Sequence, residues 1–151
     1  MANTQAMCTS FKTEILSGIH ALGTTVIRAG TGADTIKAAL YLASATVNAA
    51  TTAYSVTGEV SGAGYSAGGV TATNATAPTS SGTTAYWTPS ASFTYTTVTL
   101  TTSFDCVLVY NSTQSNKAIS AHTFGAQTIT AGTFVLSMPT NDASNALIRI
   151  A

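Results

Sequence analysis

Between residues 93 and 100, written Phe93-Thr-Tyr-Thr-Thr-Val-Thr-Leu100, large apolar residues alternate with Thr. That alternation marks a half-buried antiparallel strand, one face in the core and one in solvent. Close behind it, Cys106-Val-Leu-Val-Tyr110 is a continuous apolar run, as a core strand requires. Asn111-Ser-Thr-Gln-Ser-Asn116 reads as the turn after it, and residues 117–124 alternate again. Residues 127–130 and 133–138, separated by Ala131-Gly132, read as a hairpin. Pro139-Thr-Asn-Asp142 breaks the chain before a last strand, Ala146-Leu-Ile-Arg-Ile150.

The first half is less regular. Lys37-Ala-Ala-Leu-Tyr-Leu-Ala43 is a buried-strand candidate, residues 70–76 alternate weakly, and Ala85-Tyr-Trp-Thr88 is a short strand ended by Pro89. A glycine-rich loop covers residues 58–69 and contains Tyr65. Near the N-terminus Phe11, Ile15, Leu16 and Ile19 fall on one face of a helix, capped by Thr9 or Ser10 and closed by Gly23. A helix this short is marginal alone and must dock, on its own domain or on a neighbouring subunit. Eight or so short strands without strand–helix alternation predict an all-β fold. We expect one domain over residues 1–151: an antiparallel β-sandwich, a jelly roll being one arrangement open to it, with an N-terminal helical arm over about residues 9–22.

Only 7% of residues are charged and the net charge is zero, against about 25% charged in ordinary soluble proteins. Thr and Ser together make up 46 of the 151 residues. With 45% hydrophobic residues this is no disordered composition. A surface of hydroxyls repels its neighbours little and favours association. Lys12, Arg28, Lys37, Lys117 and Arg149 are scattered, so no basic stripe points to nucleic acid. No apolar run reaches the length of a membrane span, and the first residues lack the pattern of a signal peptide. Synthesis and folding in a cytoplasm follow as the expectation, with Cys8 and Cys106 reduced.

The search for chemistry finds no paired groups. Glu14, Asp34, Glu59, Asp105 and Asp142 share no acid–base motif and read as isolated surface or turn carboxylates. His20 and His122 sit in no metal-binding context, and His122 reads as a packed or hydrogen-bonded strand residue. Cys106 falls in a core strand, whereas Cys8 reads as exposed but without a neighbouring base. Gly62-Ala-Gly64-Tyr-Ser-Ala67 fits a loose dinucleotide-binding pattern but lacks the strand before it and the helix after it. It reads instead as a mobile or tightly turned loop. The expectation is a protein that is not an enzyme, with no cofactor and no metal. Tyr65, Tyr86 and Trp87, in or near loops, are the best candidates for an aromatic sugar-binding platform; packing in a core or interface is the plainer role for such rings.

Several segments together resemble a family of small tailed-bacteriophage virion proteins. They are Met7-Cys-Thr-Ser-Phe-Lys-Thr-Glu-Ile-Leu-Ser-Gly-Ile-His20, Lys37-Ala-Ala-Leu-Tyr-Leu42, and Thr52-Ala-Tyr-Ser-Val-Thr-Gly-Glu-Val-Ser-Gly-Ala-Gly-Tyr-Ser-Ala-Gly-Gly69. Val109-Tyr-Asn-Ser112, Asn116-Lys-Ala118 and Pro139-Thr-Asn-Asp-Ala-Ser-Asn-Ala-Leu-Ile-Arg-Ile150 complete the set. The resemblance covers most of the chain; residues 23–32 depart from it and carry a loop of their own. It implies a virion component assembled in the host cytoplasm. The first expectation is a capsid decoration or cement protein that binds the major capsid protein or other virion proteins as a symmetric homo-oligomer. The alternative is a tail-tip or fibre domain binding a host glycan. Expected interface residues are Phe11, Ile15 and Ile19 on the helix, with Tyr65, Tyr86 and Trp87.

Overall fold

The computed structural model describes residues 2–16, 19–20, 22, 33–73 and 76–151. Its elements in chain order are β1 (Ala6–Met7), α1 (Thr9–Leu16), β2 (Ile36–Leu42), β3 (Val70–Thr71), β4 (Thr79–Ser81), β5 (Thr84–Trp87), β6 (Phe93–Asn111), β7 (Lys117–Leu136) and β8 (Ile148–Ile150). They form two antiparallel sheets packed together: five strands in the order β1-β7-β6-β2-β3, and three in the order β4-β5-β8. The chain is thus an all-β sandwich with a short N-terminal helix.

The frame is one long hairpin. β6 and β7 run 19 and 20 residues and pair antiparallel throughout. Two expected features change here. The strands at 93–100 and 106–110 are parts of one strand, and the hairpin placed at Ala131-Gly132 does not exist. Ala131 instead takes a positive φ of 45° inside β7, donating its N–H to the Thr99 hydroxyl at 3.0 Å. Thr97 does the same in β6, at φ 54°. Each marks an extra residue on its strand: between the Tyr95/Phe134 and Val98/Gly132 pairs β6 is one longer, and between Val98/Gly132 and Leu100/Ile129 β7 is. Such bulges bend a strand and let it turn from one layer into another. The Thr97 bulge also explains why Phe93, Tyr95, Val98 and Leu100 are all buried although strict alternation slips between Tyr95 and Val98.

β2 is an interior strand, flanked by β6 and β3, and six of its seven residues are apolar. It pairs with β6 along its length and with β3 at Lys37 and Ala38. Beyond β3, residues 58–60 take the same edge: Leu42 N–H donates to Gly58 O and Val60 N–H to Leu40 O. Trp87 brings the second sheet into the core; it is 1% exposed, and its indole N–H donates to Thr76 O at 2.8 Å. Burying a large apolar side chain this way contributes about 1.5–3 kcal/mol.

The helix is shorter than the expected arm, since residues 19, 20 and 22 are not helical. A helix running on would set residue 20 about 13 Å beyond residue 11. The Phe11 and His20 rings instead meet edge to face, centroids 4.7 Å apart, so His20 does not continue the helix. Residues 17, 18, 21 and 23–32, including the Gly23 cap and the departing loop, lie outside the described residues, as does Asn74.

Candidate functional site

The glycine-rich loop is tightly turned and holds the most developed polar cluster. Gly58, Gly64, Gly68 and Gly69 all have positive φ, and a Cβ at Gly69 would lie 1.7 Å from Ala38 O. The loop can therefore lie flat on the sheet, and this carries Glu59 inward to 7% exposure. Glu59 Oε1 accepts the Tyr65 hydroxyl at 2.7 Å and the Gly68 N–H at 2.7 Å; Oε2 accepts the Tyr54 hydroxyl at 2.6 Å. The Tyr65 oxygen in turn accepts Leu40 N–H at 3.0 Å, tying the loop to β2. Tyr110 donates to Gly68 O at 2.8 Å and stacks on Tyr54, centroids 4.7 Å apart. Tyr95 stacks on Tyr65 and donates to Ala38 O at 2.9 Å.

Burial, reinforced by the hydrogen bonds to Glu59, pushes the Tyr54 and Tyr65 hydroxyls well above the ordinary phenol range. Burial likewise raises Tyr41 and Tyr110 to about 12. These phenols remain protonated donors. A carboxylate already accepting three such bonds is a clamp on the loop, unsuited to act as a base toward a substrate. The sequence reads Glu59 as an isolated surface or turn carboxylate; it does lie in a turned loop, but it is buried and has three partners. Asp34 is corrected likewise: at 3% exposure it accepts the Asn111 amide at 2.8 Å and the Gln114 amide at 3.2 Å. The same Asn111 amide nitrogen lies 3.0 Å from His20 Nδ1, so this second network also holds His20.

A groove of about 490 Å³ opens between β1, both ends of β7 and the residues before β8. On its wall Ser120 Oγ lies 2.8 Å from His122 Nε2, the two side chains sharing a strand face at i and i+2. Burial pushes His122 down to about 4, so at neutral pH its imidazole is uncharged and shares one hydrogen bond with Ser120, whose direction follows the imidazole tautomer. The distance suits a nucleophile and its base, but Ser120 is 2% exposed, which leaves no approach for a substrate carbonyl. The pair serves as the hydrogen-bonded strand contact expected of His122. A smaller cleft of about 160 Å³ lies between Tyr65 and Tyr95, rimmed by Ser66, Thr94 and Thr96.

Cys8 is fully buried, contrary to the expected exposure, because its N–H joins the sheet through Ile119 O at 3.0 Å and draws the residue under α1. Burial raises the Cys106 thiol to about 12, and neither cysteine forms a disulfide. Among the described residues no three His, Cys, Asp or Glu side chains gather closely enough to hold a metal, and no helix is long and apolar enough to cross a membrane.

The expected interface residues are not brought together. Phe11 and Trp87 fill the chain's own core at 0% and 1% exposure and present no surface to a partner. The reason is local: Phe11 packs edge to face against the His20 ring, and the Trp87 indole is held by Thr76. Ile15, Ile19, Tyr65 and Tyr86 are half-buried. Tyr65 belongs to the loop on the five-stranded sheet and Tyr86 to the three-stranded one; among the described residues no ring contact links them. Sequence reasoning missed the Glu59 cluster. The available signal was an acid lying between Tyr54 and Tyr65 in a stretch otherwise free of charge.

No family model matches this chain, and none of the curated proteins or solved structures does.

Proposed function

We propose that the protein is a non-enzymatic structural component of a bacteriophage particle, a decoration or cement protein that binds and stabilises the head shell. The observation that supports this most is the treatment of charge. Of five carboxylates in the chain, Asp34 and Glu59 are drawn into buried hydrogen-bond networks, so a surface already poor in charge becomes poorer. The exposed faces of β6 and β7 are Thr, Ser, Gln, Gly and Ala over long stretches. Such a surface can be buried against repeated subunits with little cost of desolvating ions. The resemblance to small tailed-phage virion proteins points the same way. The polar clusters act as internal clamps, which suits a scaffold.

The test is quantitative mass spectrometry of purified particles, measured against the major capsid protein. A copy number comparable with the capsid protein supports a decoration role. Absence from the particle overturns the reading.

One observation favours a second reading, a tail-tip or fibre domain that binds a neutral host glycan. The cleft beside Tyr65 is rimmed by hydroxyls and carries no charge, which is the chemistry of sugar recognition. Calorimetric titration with neutral oligosaccharides, compared between wild type and Tyr65→Ala, tests it. A low copy number with saccharide heat that Tyr65→Ala removes would favour this role over decoration.

A further inference from the structure

Both ends of β7 reach the groove of about 490 Å³, and β1 and the residues leading into β8 close its sides. Its apolar wall is Met7, Leu136, Met138 and Leu147, all of them only partly buried against the core. One charged side chain lines it, Arg149, and among the described residues no Asp or Glu does. The His122 imidazole on the same wall is uncharged at neutral pH. Arg149 is exposed, and among the described residues its guanidinium makes one hydrogen bond, to Ala143 O at 3.5 Å, longer than the usual range. The carboxylate that feels its charge, Asp142, is held by its own turn: it accepts the Ser144 and Asn145 N–H groups at 2.8 and 2.7 Å, and the Asn145 side-chain amide. A guanidinium has five N–H donors, so Arg149 keeps donors for a further acceptor.

We propose that this groove binds a small monocarboxylate with an apolar body, its carboxylate on Arg149 and its body against Met7, Leu136, Met138 and Leu147. Charge selects the head: a lone cation in a lining free of acids favours an anion. An exposed ion pair strengthens binding only about fivefold, so the head alone cannot hold a ligand. The apolar wall supplies the rest by removing the body from water, and a ligand must carry both parts. Volume selects a small molecule. Cavities of roughly 300–1,000 Å³ take one, whereas a stable protein partner needs about 800 Å² on each side. This goes beyond the particle reading and holds or fails without it, because it concerns a site on the free chain.

The test is titration of the full chain, followed by calorimetry and amide NMR shifts, with three probes. Octanoate carries head and body, octan-1-ol the body without the charge, and acetate the charge without the body. The expected result is saturable octanoate binding, with shifts concentrated at residues 5–7, 120–122, 136–139 and 145–149. Octan-1-ol should bind about fivefold more weakly, and acetate more weakly still. Arg149→Gln should weaken octanoate to the level of octan-1-ol and leave octan-1-ol unchanged. Should that variant misfold, added salt gives the same readout on the wild type, weakening octanoate but not octan-1-ol. Octanoate that fails to bind, binds no better than octan-1-ol, or shifts amides elsewhere overturns the proposal. An affinity for octanoate that both Arg149→Gln and salt leave unchanged overturns it as well.

Discussion

Phe124 and Phe134 lie ten residues apart on one strand, yet their ring centroids are 5.2 Å from each other. A straight strand would separate them by about 33 Å. β7 therefore folds back, and the register shows where. Between Leu100/Ile129 and Phe104/Gln127, β6 carries two more residues than β7; between Phe104/Gln127 and Cys106/Thr123 the excess reverses. Phe104 sits at this corner with no exposed surface and touches both rings, at 5.2 and 5.9 Å. Phe104→Ala would leave a cavity between the two arms of the hairpin. The expected cost is about 3–5 kcal/mol, read as a lower urea midpoint; a change below about 1 kcal/mol would show that the arms do not depend on this contact.

Glu59→Ala removes the acceptor for two phenols and one backbone N–H at once. Buried donors left without a partner cost about 1–3 kcal/mol each, with partial relief from water. We expect a loss of at least about 2 kcal/mol in urea unfolding, with faster deuterium exchange at residues 58–69. Tyr65→Phe, which deletes one of those donors together with its acceptor role toward Leu40, should cost about 1 kcal/mol. Equal losses for the two variants would mean that Glu59 is not the hub of the loop.

The all-β class was legible because β2 and the first part of β6 announce it: one interior strand that is nearly all apolar, and another that alternates with Thr. The end of β6 and the start of β7 were legible too, since Ser112 to Asn116 have turn chemistry. What could not be read was the continuity of β7 through Ala131-Gly132. The dipeptide favours positive φ in a hairpin turn and in a bulge alike, and only the partner strand decides between them. The burial of Glu59 and Asp34 was equally hidden. Their hydrogen-bond partners lie 5 to 9 residues away in a folded loop for Glu59, and 77 and 80 residues away for Asp34. Trp87 could be read two ways, as a ring near a loop or as one packed in a core or interface, and the carbonyl at Thr76 and a second sheet decide for the core.

Two glycines should respond in opposite ways to alanine. At Gly69, φ is +68° and the new Cβ would sit 1.7 Å from Ala38 O, a backbone atom that cannot step aside without breaking β2. Gly69→Ala should cost more than about 2 kcal/mol, beyond the usual penalty for a left-handed residue. At Gly125 the space is open and φ is not in the left-handed region. Gly125→Ala should be neutral, or stabilising by up to about 1 kcal/mol through the unfolded chain. Melting temperatures that fall alike in both variants would contradict the close approach of the loop at Gly69.

His122 makes stability depend on acid. Burial holds its pKa near 4, against an ordinary value of 6.5. Above pH 6.5 the imidazole is neutral in both folded and unfolded chains, and its hydrogen bond with Ser120 is intact. As the pH falls from 6.5 to 4 the unfolded chain takes up a proton that the folded chain refuses, so stability drops across that window. Below pH 4 both states are protonated and this contribution levels off. The size is set by the separation of the two values, at most about 3 kcal/mol. Arg149 lines the same groove, so a cation on His122 gains nothing from it. Urea midpoints measured from pH 7 to pH 4 should therefore fall more steeply for wild type than for His122→Gln, which keeps an acceptor for Ser120 but cannot titrate. Parallel slopes would show that His122 is protonated in the folded chain as readily as in the unfolded one.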